Sequence, residues 1–169
     1  MRAVWLFLAI YAAVAVETGL GDRLAIGRVA PDVAALVAVV WLLVSSGPAG
    51  LLGAGAAVLA ADLVSAGRIG VGLFWMMPVA LLVVRTRRWS ALGGIAASGV
   101  IVFVAASLFA VATALTRWIL GEVDAGLTEV LLRAVGVGCY TASLSLPVLL
   151  VLRWAAPRQG LVRAAAPWP

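Results

Sequence analysis

Apolar residues fill most of the chain in long runs, and short groups of charged residues, glycine and proline separate these runs. Six runs have the composition of membrane-spanning helices, at roughly 3–20, 31–45, 49–66, 70–84, 91–116 and 131–152. A hydrocarbon core about 30 Å thick requires about 20 helical residues, so the second and fourth runs are marginal. A short or partly re-entrant helix is tolerated there only if protein surrounds it. The pattern predicts an all-α, polytopic membrane bundle of about six transmembrane helices, with five as the alternative count.

Proline and glycine support these boundaries. Pro31 followed by Asp32 predicts a helix start, because proline is pre-set for the first turn and the carboxylate meets the positive end of the helix dipole. The stretch SSGPAG at 45–50 predicts a tight turn that opens the third helix. Pro78 and Pro147 lie inside predicted spans, where we expect kinks that neighbouring helices accommodate.

The first run begins after Arg2 and continues to Val16, which favours a retained first helix over a cleaved signal peptide. We therefore expect a single integral membrane domain over 1–155, followed by a short basic cytoplasmic tail over 156–169.

Composition narrows the class of protein. Hydrophobic residues make up 65% of the chain and charged residues 11%, which leaves too little polar surface for a soluble domain. The net charge of +5 is due to arginines scattered between apolar runs, without a basic stripe. We interpret it as membrane topology and contact with anionic lipid, and we expect no nucleic-acid partner.

The arginines also predict an orientation. The densest cluster, Arg85, Arg87 and Arg88, is expected on the cytoplasmic side. This places both termini in the cytoplasm. Outside then lie five arginines, which are Arg23, Arg28, Arg68, Arg117 and Arg133, and five acids, which are Asp22, Asp32, Glu122, Asp124 and Glu129.

Reactive groups are scarce. The chain has no histidine and one cysteine, Cys139, so neither a histidine-dependent nucleophile nor a metal cluster is expected. An intramembrane aspartyl protease needs two facing carboxylates, but only Asp62 lies well within a span, with Glu17 near the end of another. We expect no catalysis, no cofactor and no small-molecule substrate, because a ligand pocket needs placed polar groups and the spans carry few.

Small residues form strips on two predicted helices. Gly53, Ala57 and Ala61 recur at four-residue spacing in the third span, and Gly138 and Ala142 do so in the sixth. Such strips let another helix approach closely. We favour packing of these strips within the bundle over docking of a helix from another protein. The two functions are compatible if they use different faces of a helix.

Asp62 requires an explanation, because a carboxylate near a helix C-terminus faces negative partial charge. It lies about 18 Å along the helix from Gly50, about one turn from the outer surface. Its donors are expected to be Arg68 across the turn at Gly67, an arginine such as Arg28, or the amides of that turn. An ion pair between Asp62 and Arg68 that fixes the outer end of the bundle is favoured over a solvated surface carboxylate.

The stretch from 30 to 74 resembles the core of the MreD family of rod-shape-determining membrane proteins. That family has a proline with an acidic or polar neighbour opening the second helix, a Gly-containing turn, a Gly-rich third helix ending in Asp, and a small-polar-Gly turn. The corresponding residues here are Pro31, Asp32, Gly47, Asp62, Ser65, Gly67 and Gly70. The family often has a Gly-Phe pair and a second glycine before the Asp, whereas this chain has Ala54, Gly55 and Val58.

The resemblance implies a non-catalytic scaffold subunit of the bacterial rod, or elongation, complex, acting in cell shape and peptidoglycan synthesis. It also implies a location in the bacterial cytoplasmic (inner) membrane. The implied partners are an MreC-like single-span protein and, through it, MreB with a RodA-type glycosyltransferase and its transpeptidase. The implied bundle resembles the substrate subunits of energy-coupling-factor transporters, without their ligand. A substrate-capture subunit of such a transporter is the alternative, and an otherwise uncharacterised membrane protein is the third.

Overall fold

The computed structural model describes residues 2–26, 29–45, 47–65 and 69–155. Their helices are α1 (Arg2–Leu24), α2 (Val33–Val44), α3 (Pro48–Val64), α4 (Val71–Ile119) and α5 (Leu127–Ala155). Among these residues there is no β-strand, and a single isolated bridge joins Ile26 and Val29. The prediction of an all-α fold is confirmed for this part of the chain, whereas the predicted tail at 156–169 lies outside it.

The long helix α4 is an antiparallel pair of helices. Gly94 has φ 67° and ψ −143°, a conformation that favours glycine, and it divides α4 into α4a (71–93) and α4b (95–119). Trp75 Nε1 donates a hydrogen bond of 2.8 Å to Thr116 Oγ1, 41 residues away. A straight helix would separate these two residues by about 60 Å, so α4b must fold back along α4a.

The fourth predicted span therefore ends too early, at 84. Arg85, Thr86 and Arg87 continue the helix of α4a, because arginine is a good helix former and nothing in this stretch breaks a helix. The reversal occurs instead at Gly94, where a positive φ is tolerated. With α4 divided, the described residues form six helical segments.

Helix α2 lies at the centre of the bundle and packs against α1, α3, α4 and α5. Eight of its residues are buried, which are Ala34, Ala35, Leu36, Ala38, Val39, Val40, Leu42 and Leu43. A helix that is apolar on all sides is stable when other helices cover it. At 12 residues α2 is about 18 Å long, and the neighbouring helices enclose it as expected for the marginal second run.

Polar contacts tie the helices together at both ends of the bundle. At one end Arg87 Nη1 donates a hydrogen bond of 2.9 Å to the carbonyl of Ser45, which directly follows α2. The carbonyls at a helix C-terminus lack partners within their own helix, so this contact joins α2 to α4a. At the opposite end the last turn of α3, containing Asp62, meets the first turn of α4a.

The outward faces of the helices are apolar. Exposed large hydrophobic residues include Phe74, Met77 and Leu81 of α4a, Val100, Phe103 and Val104 of α4b, and Leu132, Val135 and Val151 of α5. By length and composition, Ala96–Ile119 and Leu127–Val151 are able to cross a membrane, with mean hydropathies of 2.3 and 1.8. Among the described residues these are the two helices that meet both criteria, against six predicted spans, and they favour a membrane protein.

Candidate functional site

Asp62 caps the beginning of α4a from a different helix. Its Oδ2 accepts hydrogen bonds from the amides of Gly70 and Gly72, both at 3.0 Å, and from Leu73 at 3.3 Å. The N-cap residue of α4a is Gly70, which has no side chain to accept these amides. Asp62 as a whole is only 4% exposed. Its carboxylate thus satisfies otherwise unpaired donors and meets the positive end of the α4a dipole.

Two glycines make this cap possible. Gly70 has φ 97°, a backbone conformation that L side chains rarely adopt. A Cβ atom on Gly72 would lie 2.7 Å from Asp62 Oδ1 and 2.8 Å from Val58 Cγ1. Glycine at position 72 therefore lets the backbone of α4a approach the carboxylate to hydrogen-bonding distance.

Arg117 of α4b is the described cation nearest to this carboxylate, with 4.0 Å between its Nη2 and Asp62 Oδ1. The expected ion-pair partners Arg68 and Arg28, and the expected turn at Gly67, lie outside the described residues. The donors that the structure shows are instead the amides of Gly70, Gly72 and Leu73 at the beginning of α4a, beyond the turn at Gly67 that was expected to supply them. Arg117 is far from Asp62 in sequence, so only the reversal at Gly94 brings them together.

Asp32 is the N-cap of α2, and its Oδ1 accepts a hydrogen bond of 2.7 Å from the amide of Ala35. Its own amide donates to Thr141 Oγ1 at 2.9 Å. Thr141 lies about 21 Å along α5 from the first residue of that helix. The hydrogen bond to Thr141 therefore ties the start of α2 to the middle of α5.

Glu17 of α1 faces the same region and interacts electrostatically with Asp32 and Arg117. Its Oε2 atom is buried and has no hydrogen-bond partner among the described residues, and the same holds for Arg117 Nε. Glu17, Asp32, Asp62 and Arg117 thus bring charges from four segments of the chain to one region.

Two adjoining cavities occupy this region. The smaller, about 130 Å³, is the charged chamber; its wall is formed by Glu17, Asp32, Ala34, Ala35, Val58, Ala61, Asp62, Ser65, Gly72, Phe109, Thr113 and Arg117. The larger, about 270 Å³, is the apolar vestibule between α4b and α5; its wall is formed by Asp32, Ala110, Thr113, Ala114, Arg117, Val123, Ala125, Val130, Arg133, Ala134 and Val137. Asp32, Thr113 and Arg117 belong to both walls, so the cavities share a boundary.

The chamber can bind by charge and hydrogen bonding. Its wall carries three carboxylates and one guanidinium, a formal net charge of −2. Among the described residues no group of three histidine, cysteine, aspartate or glutamate side chains is placed to hold a metal ion. The expectation of no small-molecule pocket rested on the few polar groups within each span, whereas these groups come from α1, the start of α2, α3 and α4b and converge only in the fold.

The predicted packing residues face the interior of the bundle. Gly53 and Ala57 are buried, and Ala61 lines the charged chamber. A Cβ atom on Gly138 would lie 2.6 Å from Ser107 Cα, so α5 and α4b touch at this position. Ala142 is 8% exposed. Both strips therefore pack against helices of the same chain.

The remaining motif residues lie at helix boundaries. Gly47 precedes Pro48 as the N-cap of α3 and has φ 74°, while Pro31 is buried just before α2. Ser65 ends α3, and its Oγ donates a hydrogen bond of 3.1 Å to the carbonyl of Asp62. These residues shape the junctions between helices.

No family model matches the chain, and no curated protein or solved structure matches it either. The function is therefore inferred from its residues and their arrangement.

Proposed function

We propose that the chain is a multi-pass protein of the bacterial cytoplasmic membrane, with all six helical segments inside the bilayer. Its apolar exterior supports this, because soluble monomers rarely expose large contiguous apolar patches. No charged residue occurs between Arg88 and Arg117. The short helix α2 needs no lipid contact of its own, because the other helices surround it.

The basic cluster supports an orientation with both termini in the cytoplasm. Arg85 is exposed, and Arg87 contacts Ser45 at the end of the bundle opposite the charged chamber. The positive-inside rule places that end in the cytoplasm. The chamber then opens towards the outer side of the membrane.

Within this membrane we propose a non-catalytic scaffold subunit of the rod complex, as the resemblance to the MreD family implies. It acts in cell shape and peptidoglycan synthesis through helix contacts with an MreC-like single-span protein, and through it with MreB, a RodA-type glycosyltransferase and a transpeptidase. One observation carries the proposal: the described motif residues cap helices and form turns, and Asp62 is the central cap. A subunit whose motif residues cap helices and form turns suits assembly rather than chemistry.

The test is a pull-down of the tagged protein from its own host in mild detergent, with partners identified by mass spectrometry. The proposal expects enrichment of a single-span partner and wall-synthesis enzymes over a tagged, unrelated multi-pass protein of the same host. Enrichment of neither would refute the scaffold function.

A second candidate is favoured by the charged chamber and the apolar vestibule: a substrate-capture subunit of an energy-coupling-factor transporter. Such a subunit needs a cavity with placed polar groups, and these two cavities supply one. In the same pull-down, recovery of an ATPase and a coupling subunit instead of wall-synthesis enzymes would favour this candidate.

A further inference from the structure

We propose that the charged chamber and the apolar vestibule together bind a small primary amine with an aliphatic body, the ammonium group lying in the chamber. This inference rests on the cavities and their walls and is independent of which partners the protein has.

In the wall of the chamber one buried acceptor, Glu17 Oε2, and one buried donor, Arg117 Nε, have no hydrogen-bond partner among the described residues, but the carboxylates outnumber the guanidinium group by three to one. Asp62 is satisfied by three amides and Asp32 by the amide of Ala35, but the buried Oε2 of Glu17 receives no hydrogen bond from the described residues. A buried carboxylate oxygen without a donor is destabilising. An ammonium group supplies three N–H donors and a positive charge, which is what this oxygen lacks.

Arg117 does not complete the chamber by itself. It lies 4.0 Å from Asp62 Oδ1, beyond hydrogen-bonding distance, and its one positive charge faces three carboxylates. The described residues hold no group suited to a metal ion. A cation that carries N–H donors, such as an ammonium group, therefore matches the wall of the chamber.

The vestibule accounts for the aliphatic body of the ligand. Most of its wall is alanine and valine, contributed by α4b, α5 and the loop between them. It meets the chamber at Asp32, Thr113 and Arg117, so one molecule can place its charged end in the chamber and its hydrocarbon chain in the vestibule. Burying one more methylene group should then raise affinity about fourfold.

The experiment measures thermal unfolding of the purified full chain in detergent, by tryptophan fluorescence, with n-alkylamines from methylamine to n-hexylamine. We expect Tm to rise with n-hexylamine in a saturable way, with affinity increasing along the series. n-Hexanoate and n-hexanol, which have the same chain without the ammonium, serve as probe controls. Absence of any shift with the amines, or an equal shift with n-hexanoate or n-hexanol, would overturn the proposal.

Variants locate the site. Glu17→Gln keeps the shape of the side chain and should weaken n-hexylamine binding about 10- to 100-fold, as for loss of a charge-assisted hydrogen bond. Asp124→Asn, at an exposed acid that lines neither cavity, should bind like the original chain. Ala114→Leu fills part of the vestibule and should abolish the dependence on chain length, which provides a test if Glu17→Gln does not fold. Unchanged binding in both cavity variants would refute the site.

The amine has two possible sources, a free metabolite-like amine or the ethanolamine headgroup of a phospholipid. Nanodiscs of phosphatidylglycerol with and without phosphatidylethanolamine separate them. Weaker n-hexylamine binding in the presence of phosphatidylethanolamine would identify the headgroup as the occupant, and equal binding would identify a free amine. Both results require amine binding, and its absence in both nanodiscs would contradict the inference.

Discussion

Replacing Asp62 with leucine removes the acceptor that three amides of α4a share. Gly72 N is buried, and the amides of Gly70 and Leu73 are partly buried, so water does not replace the carboxylate fully. An unsatisfied buried donor costs about 1–3 kcal/mol. We therefore expect Asp62→Leu to lower the free energy of unfolding by about 3 kcal/mol or more, and to lower abundance or partner binding in the host.

Asp62→Asn separates hydrogen bonding from charge. Its amide oxygen still accepts from the α4a amides, but the interaction with the dipole and with Arg117 is lost, at a cost of about 1–2 kcal/mol. The assay is unfolding in dodecylmaltoside micelles titrated with SDS, followed by the fluorescence of the seven tryptophans. Asp124→Leu and Asp124→Asn, at an exposed loop position, are the matched controls. Equal losses for Asp62→Leu and Asp62→Asn, or an Asp62→Leu variant as stable as Asp124→Leu, would refute the capping function.

Two further predictions concern close helix contacts. Gly72→Ala should destabilise the protein by about 1–3 kcal/mol in the same unfolding assay, because the new methyl group collides with Asp62 Oδ1. Gly55→Ala is the control: its methyl group meets only a side-chain atom at 3.6 Å, so this variant should be neutral or stabilising. Equal effects of the two substitutions would contradict the collision. Gly138→Ala should push α5 away from Ser107 of α4b at a similar cost of about 1–3 kcal/mol, and a variant with unchanged stability would exclude tight packing there.

The sequence predicted the helices well but misplaced the connection between the fourth and fifth predicted spans, which are α4a and α4b in the structure. Long apolar runs form helices in almost any environment that keeps water away, so the runs are readable from composition. The cluster Arg85 to Arg88 resembles a loop by charge, yet arginine continues a helix readily. The chain reverses at Gly94, where the backbone conformation requires glycine, and hydropathy does not detect that requirement.

The candidate site was only partly predictable. Asp62 was identified as a carboxylate that needs donors, but the expected donors were Arg68, Arg28 or the amides of the turn at Gly67, whereas the amides of Gly70, Gly72 and Leu73 at the start of α4a supply the hydrogen bonds. Glu17 and Arg117 lie in different helices from Asp62, and no short-range pattern connects them to it. Their convergence depends on how the helices pack.

By itself, the sequence determined an all-α chain, its helical runs and the residues that begin α2 and α3, because apolar length, proline and glycine act locally along the backbone. The tertiary structure alone decided that the amide of Asp32 bonds to Thr141 of α5 and that Arg117 lies 4.0 Å from Asp62 in the charged chamber. These contacts join residues 55 and 109 positions apart, and such contacts are fixed by the packing of whole helices rather than by any local signal.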